Sequence, residues 1–130
     1  MDTSETFIKM CEKAWEIQNL RIVNDRFQQG DYLCNSLRAW TVADGAIYRC
    51  WGDIWLPTQD QLQEMLREYT KQSPIQLAAM FGERMYDQLF NYKERIHYYS
   101  HEMSMEQLWL CFMMKERYST IWNGEDWIKS

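Results

Sequence analysis

A chain of 130 residues is close to the commonest domain size and long enough to bury a real core, so one domain spanning 1–130 is expected. Seven Trp, eight Tyr and five Phe supply more ring mass than a disordered chain carries, which excludes that class. The net charge of −5 repels phosphate on average, so nucleic acid is not a favoured partner.

The first predicted element runs from Ser4 to about Ile22. Phe7, Met10, Cys11, Ala14 and Ile17 recur at helical spacing and form one apolar stripe. Thr3 or Ser4 can cap this helix, and Glu5 suits the positive end of its dipole. Trp15, with Ile8 and Ile22, is expected to widen the stripe.

After a polar link around "NDRFQQGD" the period changes. "YLCNSLRAWTVADGAIYRCWG" mixes β-branched and aromatic residues with partial alternation. Asp44-Gly45 is a two-residue hairpin signal, since both turn positions need φ > 0. It places Val42 opposite Ile47, with Trp40 and Trp51 further along the same face. "YLC" at 32–34 adds a further antiparallel strand, giving a small meander around residues 31–56.

"WLPTQDQLQEML" then opens a helix. Thr58 and Gln61 have the capping-box spacing, Asp60 falls in the first turn, and Pro57 sits outside the cap. Leu62, Met65, Leu66 and Tyr69 form its apolar stripe. Ser73-Pro74-Ile75-Gln76 repeats that grammar ahead of Leu77, Phe81, Met85, Leu89 and Tyr92. Gly82 costs this helix roughly 1 kcal/mol relative to Ala, which suggests a close packing contact there. Ser104-Met105-Glu106-Gln107 is a third opening, ahead of the nearly all-apolar "LWLCFMM", the most buried helix by composition. Asn123-Gly124 marks a closing hairpin: pairing Trp122 with Glu125 makes Trp122 and Trp127 diagonal neighbours on one face, with Ile121 and Ile128 on the other. The fold class is therefore α+β, with an N-terminal helix, a small antiparallel β-meander, three further helices and a C-terminal β-hairpin.

The chemistry-bearing residues are sparse. Cys11, Cys34, Cys50 and Cys111 include no CxxC pair, and the polar start "MDTSETF" has no signal-peptide pattern, so reduced, buried thiols in a cytoplasmic protein are expected. No apolar run approaches the length of a membrane span. "ERIHYYSHE" places Glu94, His97 and His101 on one helical face, a spacing that suits a metal. One helix supplies too few ligands for a closed site, and a polar helix face explains the cluster more simply. The basic residues Lys93, Arg95, Lys115 and Arg117 are likewise read as a solvated face. Trp40, Trp51, Trp55, Trp122 and Trp127 could stack a base, a sugar or a partner side chain, although most tryptophans serve the core. The nine Met suit either an adaptable groove or core filling. There is no Ser-His-Asp order, Gly-rich phosphate loop or nucleophile elbow, so no catalytic residue and no cofactor is assigned.

Three stretches, "FIKMCEKAWEIQ", "WLPTQDQLQEML" and "EQLWLCFMMKERYSTIWNGEDW", resemble a family of small uncharacterised proteins encoded by phages and prophages of Gram-positive bacteria. The resemblance covers about half the chain and omits the middle β region. It implies the cytoplasm of a bacterial host and an accessory or regulatory role. The family carries no assigned activity, so no catalytic or binding residue follows from it. The expectation is a non-enzymatic protein that acts by binding a protein partner, with a homo-oligomer as one form. The alternatives are nucleic-acid or nucleotide binding through a Trp-bearing sheet, and a small metal-dependent enzyme at Glu94, His97 and His101.

Overall fold

Local capping sets where the helices begin. In a computed structural model that describes residues 1–20, 26–27, 31–34, 39–41, 47–48, 54–87 and 103–129, Ser4, Ser73 and Ser104 each precede a helix and each accepts a hydrogen bond from the backbone N–H three residues on. The elements run α1 (Glu5–Lys13), α2 (Trp15–Leu20), β1 (Arg26–Phe27), β2 (Tyr32–Cys34), β3 (Ala39–Thr41), β4 (Ile47–Tyr48), β5 (Ile54–Leu56), α3 (Gln59–Thr70), α4 (Pro74–Tyr86), α5 (Met105–Tyr118), β6 (Thr120–Trp122) and β7 (Trp127–Lys129). The class is α+β, as the sequence leads one to expect. The chain divides into two compact units, Met1–Thr58 and Gln59–Ser130.

In the first unit the expected N-terminal helix is two helices. Ala14, at φ −86° and ψ 66°, has inverse-γ geometry and interrupts the helical path. It still links the pieces, because its N–H donates to Met10 O and Cys11 O and its carbonyl accepts from Ile17 and Gln18. Phe7, Met10, Cys11, Ala14 and Ile17 are all fully buried, so the predicted stripe is the core face. Trp15 does not widen it: the ring is 64% exposed. On a continuous helix Trp15 lies one turn beyond Cys11, on the same face. At about 100° per residue it nevertheless falls at the margin of the stripe that Phe7, Ala14 and Gln18 centre, and its ring turns outward.

The strand order also departs from sequence order. β2 is central in an antiparallel sheet β3-β2-β5, and β1 pairs with β4. Leu33 stands between Trp40 on β3 and Trp55 on β5. Ile47 has Phe27 as its partner, so among the described residues β4 pairs with β1 rather than β3. Val42 and the Asp44-Gly45 turn lie outside the described residues. Leu33, Cys34, Trp55 and Leu56 are buried, and β5 packs on α1.

The second unit is built around α5. This helix buries Gln107, Trp109, Leu110, Cys111, Phe112, Met113 and Met114, and α3, α4 and β6 pack on it. Such all-round burial is what a central helix requires. Phe81 of α4 stacks on Trp109 at 4.0 Å and meets Phe112 edge-on at 5.4 Å. Arg84 of α4 reaches Glu116 of α5 at 2.8 Å. Met85, Met113 and Met114 are core residues, as core filling predicts.

Three expectations are corrected in this unit. Tyr69 is exposed and leaves the α3 core stripe, where Leu62 and Leu66 remain fully buried; its ring instead receives the Arg117 guanidinium at 5.2 Å. Gly82 serves no close packing contact, since a Cβ placed there meets nothing within 4 Å. The closing hairpin has a four-residue loop rather than a two-residue turn, because Trp122 is directly opposite Trp127. A type I′ turn needs φ > 0 at both Asn123 and Gly124. Only Gly124 has it, at φ 98°. Asn123 closes the wider loop instead: its Oδ1 accepts from the N–H groups of Glu125 and Asp126, each at 2.8 Å. The shift is an even number of residues, so the predicted faces survive, with Ile121 opposite Ile128 on the other side.

Candidate functional site

Trp55 is the first candidate to locate, because a residue just before a helix cap can anchor the chain or face a partner. It is 1% exposed and anchors. β5 lies at the edge of its sheet, where unpaired main-chain groups need partners. Gln18 of α2 meets that need with its side-chain amide. Its Oε1 accepts from Trp55 N at 2.9 Å, and its Nε2 donates to Trp55 O at 2.8 Å and to Cys11 O at 3.1 Å. Cys11 O belongs to the last turn of α1, where it also accepts from the Ala14 N–H. One buried amide thus closes a sheet edge and a helix end together. The sequence signal was a lone polar residue seven positions after Cys11, on the buried face of an amphipathic segment.

Trp122 and Trp127 meet at 5.2 Å with their planes tilted by 54°. Trp122 is only 3% exposed and Trp127 is half-buried, so this pair packs the hairpin rather than forming an open stacking platform. Trp40 is placed on β3 opposite Leu33. Trp51 and the metal candidates Glu94, His97 and His101 lie outside the described residues. Among the described residues no group of three or more His, Cys, Asp or Glu is arranged to hold a metal ion. Burial raises the pKa of the Cys11 thiol well above the ordinary thiol value, with Asp2 and Cys34 adding to the effect. The Cys34 thiol is raised by burial and by Glu12. Both stay protonated at neutral pH, which disfavours them as nucleophiles. No helix among the described residues is long and apolar enough to cross a membrane.

What the surface offers is apolar. α4 is amphipathic on one side only in part: Leu77 and Met85 are buried and Phe81 is half-buried against α5. The opposite side carries a second apolar seam. Ile75 is 77% exposed and Tyr86 is 56% exposed, and between them Ala78, Ala79 and Gly82 are also exposed. Positions 75, 79, 82 and 86 are spaced by four, three and four residues. At 100° per residue they fall within a narrow arc, the spacing of a coiled-coil seam. In the first unit, Trp15 is a further exposed ring. No family model, curated protein or solved structure matches the chain.

Proposed function

We propose that this chain is a phage- or prophage-type accessory protein of a bacterial host cytoplasm, working by binding another protein rather than by catalysis. The observation that carries the reading is the exposed apolar seam of α4, with Ile75 and Tyr86 at its ends. Large apolar side chains exposed in line on one helix face mark an interaction surface. The resemblance of the three sequence stretches supports the genomic setting. The charge of −5 and the burial of Trp55 and Trp122 weigh against a stacking surface for nucleic acid.

The test is affinity capture from host lysate with the full chain, run beside Ile75→Glu and Trp15→Glu variants. The expected result is a stoichiometric protein partner that at least one of these exposed-site variants loses while remaining folded. Saturable binding of single-stranded DNA or RNA at physiological salt, with no protein partner, would overturn the reading.

A further inference from the structure

We infer that the edge of β5 at Trp55 is a docking site for an extended peptide segment of a partner protein, added antiparallel as a further strand of the β3-β2-β5 sheet, and that α2 holds this site shut with Gln18. The site belongs to the first unit alone and is independent of the α4 seam of the second.

The form of the clamp names the ligand. In an antiparallel ladder, two opposed residues exchange both of their N–H···O bonds. The Gln18 carboxamide does the same with Trp55, accepting at 2.9 Å and donating at 2.8 Å. What fits in its place is one residue of an extended main chain, the mode by which a sheet edge takes up a peptide. Pro57 follows β5 directly and has no N–H, so the edge ends there and pairing is centred on Trp55. The residue opposite Trp55 continues the sheet face of Trp55 and its partner Leu33, both buried. An apolar β-branched residue suits that position. The net charge of −5 favours basic residues at the ends of the segment.

α2 is suited to leave the edge. It has six residues, too few to persist as a helix without packing. Ala14 separates it from α1 with a non-helical φ of −86° and ψ of 66°. Its largest side chain, Trp15, is 64% exposed and holds it little, so Ile17 and Gln18 are its buried anchors. The end of α1 does not depend on Gln18, because Cys11 O also accepts from the Ala14 N–H. Displacement therefore exchanges the two bonds of one side-chain amide to Trp55 for two from a peptide.

The probe is a fluorescent, end-blocked Lys-Thr-Val-Thr-Lys peptide, titrated by anisotropy against the full chain at physiological salt. Gln18→Ala removes the clamp and is expected to bind the peptide at least about tenfold more tightly than wild type, because the binding-competent fraction rises. Methylating the main-chain nitrogen of the central valine removes the N–H that Trp55 O would accept, and is expected to abolish binding. In Gln18→Ala the Trp55 amide is expected to exchange with deuterium at least about tenfold more slowly once peptide is added. Ala14→Gly loosens the joint but keeps Gln18, and is expected to tighten binding as well. A folded Gln18→Ala chain that binds no tighter than wild type overturns the inference. Equal binding of the methylated peptide, or Trp55 exchange that peptide leaves unchanged, does the same. If Gln18→Ala does not fold, Ala14→Gly decides, and binding no tighter than wild type overturns the inference. A Gln18→Ala chain that dimerises and excludes the peptide gives the edge to a second copy and overturns the assignment of a partner segment.

Discussion

The side-chain amide of Gln18 binds both main-chain groups of Trp55, 37 residues away, at 2.9 and 2.8 Å. It occupies the position that a neighbouring strand's peptide holds in a wider sheet. Removing it leaves a buried N–H and a buried C=O without this partner, and each such loss costs roughly 1–3 kcal/mol. Gln18→Met keeps the length and bulk but not the hydrogen bonds. We expect it to lower stability by about 2–4 kcal/mol in urea unfolding. A loss below about 0.5 kcal/mol, the scatter of surface substitutions, sinks the clamp as a stabilising element.

Much of the helical frame is legible because its determinants are local. Ser4, Ser73 and Ser104 cap through atoms three residues away, and the stripe from Phe7 to Ile17 carries the 3.6-residue period through the interruption of the helix at Ala14. The break itself was not legible. Alanine is the best helix former, and Ala14 leaves the helix in a setting where Gln18 reaches Trp55, a distant contact. Strand order was not legible for the same reason: Leu33 finds Trp55 22 positions on, and nothing near either residue encodes the choice. Trp122 and Trp127 show an intermediate case, in which face parity followed from alternation but loop length depended on the Asn123 side chain. The outer seam of α4 was present as Ile75, Ala79, Gly82 and Tyr86. Its centre is small residues, so the larger Leu77, Phe81 and Met85 dominated the pattern.

Gly82 offers a stabilising substitution. It lies within α4 with nothing near its missing Cβ, so Ala adds helix propensity without a clash. Gly82→Ala is expected to raise stability by about 0.5–1 kcal/mol. The measurement is a denaturant melt at low micromolar protein, where self-association contributes little. A decrease there means the position is closed in solution.

Lys71 ends α3 in the left-handed region, at φ 60°, and its N–H donates to Arg67 O at 2.8 Å. The left-handed conformation costs a residue with a Cβ about 1–2 kcal/mol, and glycine avoids most of that. The Lys71 side chain is exposed, so little packing is lost on its removal. Lys71→Gly is expected to stabilise the chain by about 0.5–1 kcal/mol after the extra freedom of glycine in the unfolded state is subtracted. Lys71→Val is expected to destabilise it, because a β-branched residue tolerates this region worst. Paired thermal melts check both signs, and the same direction for both variants contradicts the assignment.

The buried thiols give the chain an alkaline limit. Cys11 and Cys34 have folded-state pKa values raised above the ordinary thiol value of 9.0 by burial. Below that value both folded and unfolded thiols are protonated, and the pair contributes no pH dependence. As pH rises through it, the unfolded chain loses protons that the folded chain keeps, so the unfolded state binds fewer protons and stability falls with pH. We expect the urea midpoint to drop between pH 8 and about pH 10, and the drop to shrink in a Cys11→Ala, Cys34→Ala double variant. The same burial predicts slow labelling by a thiol reagent in the native state at pH 8 and rapid labelling in denaturant. Equal labelling rates at Cys11 in the two states, resolved by peptide mapping, contradict its enclosure between α1 and β5.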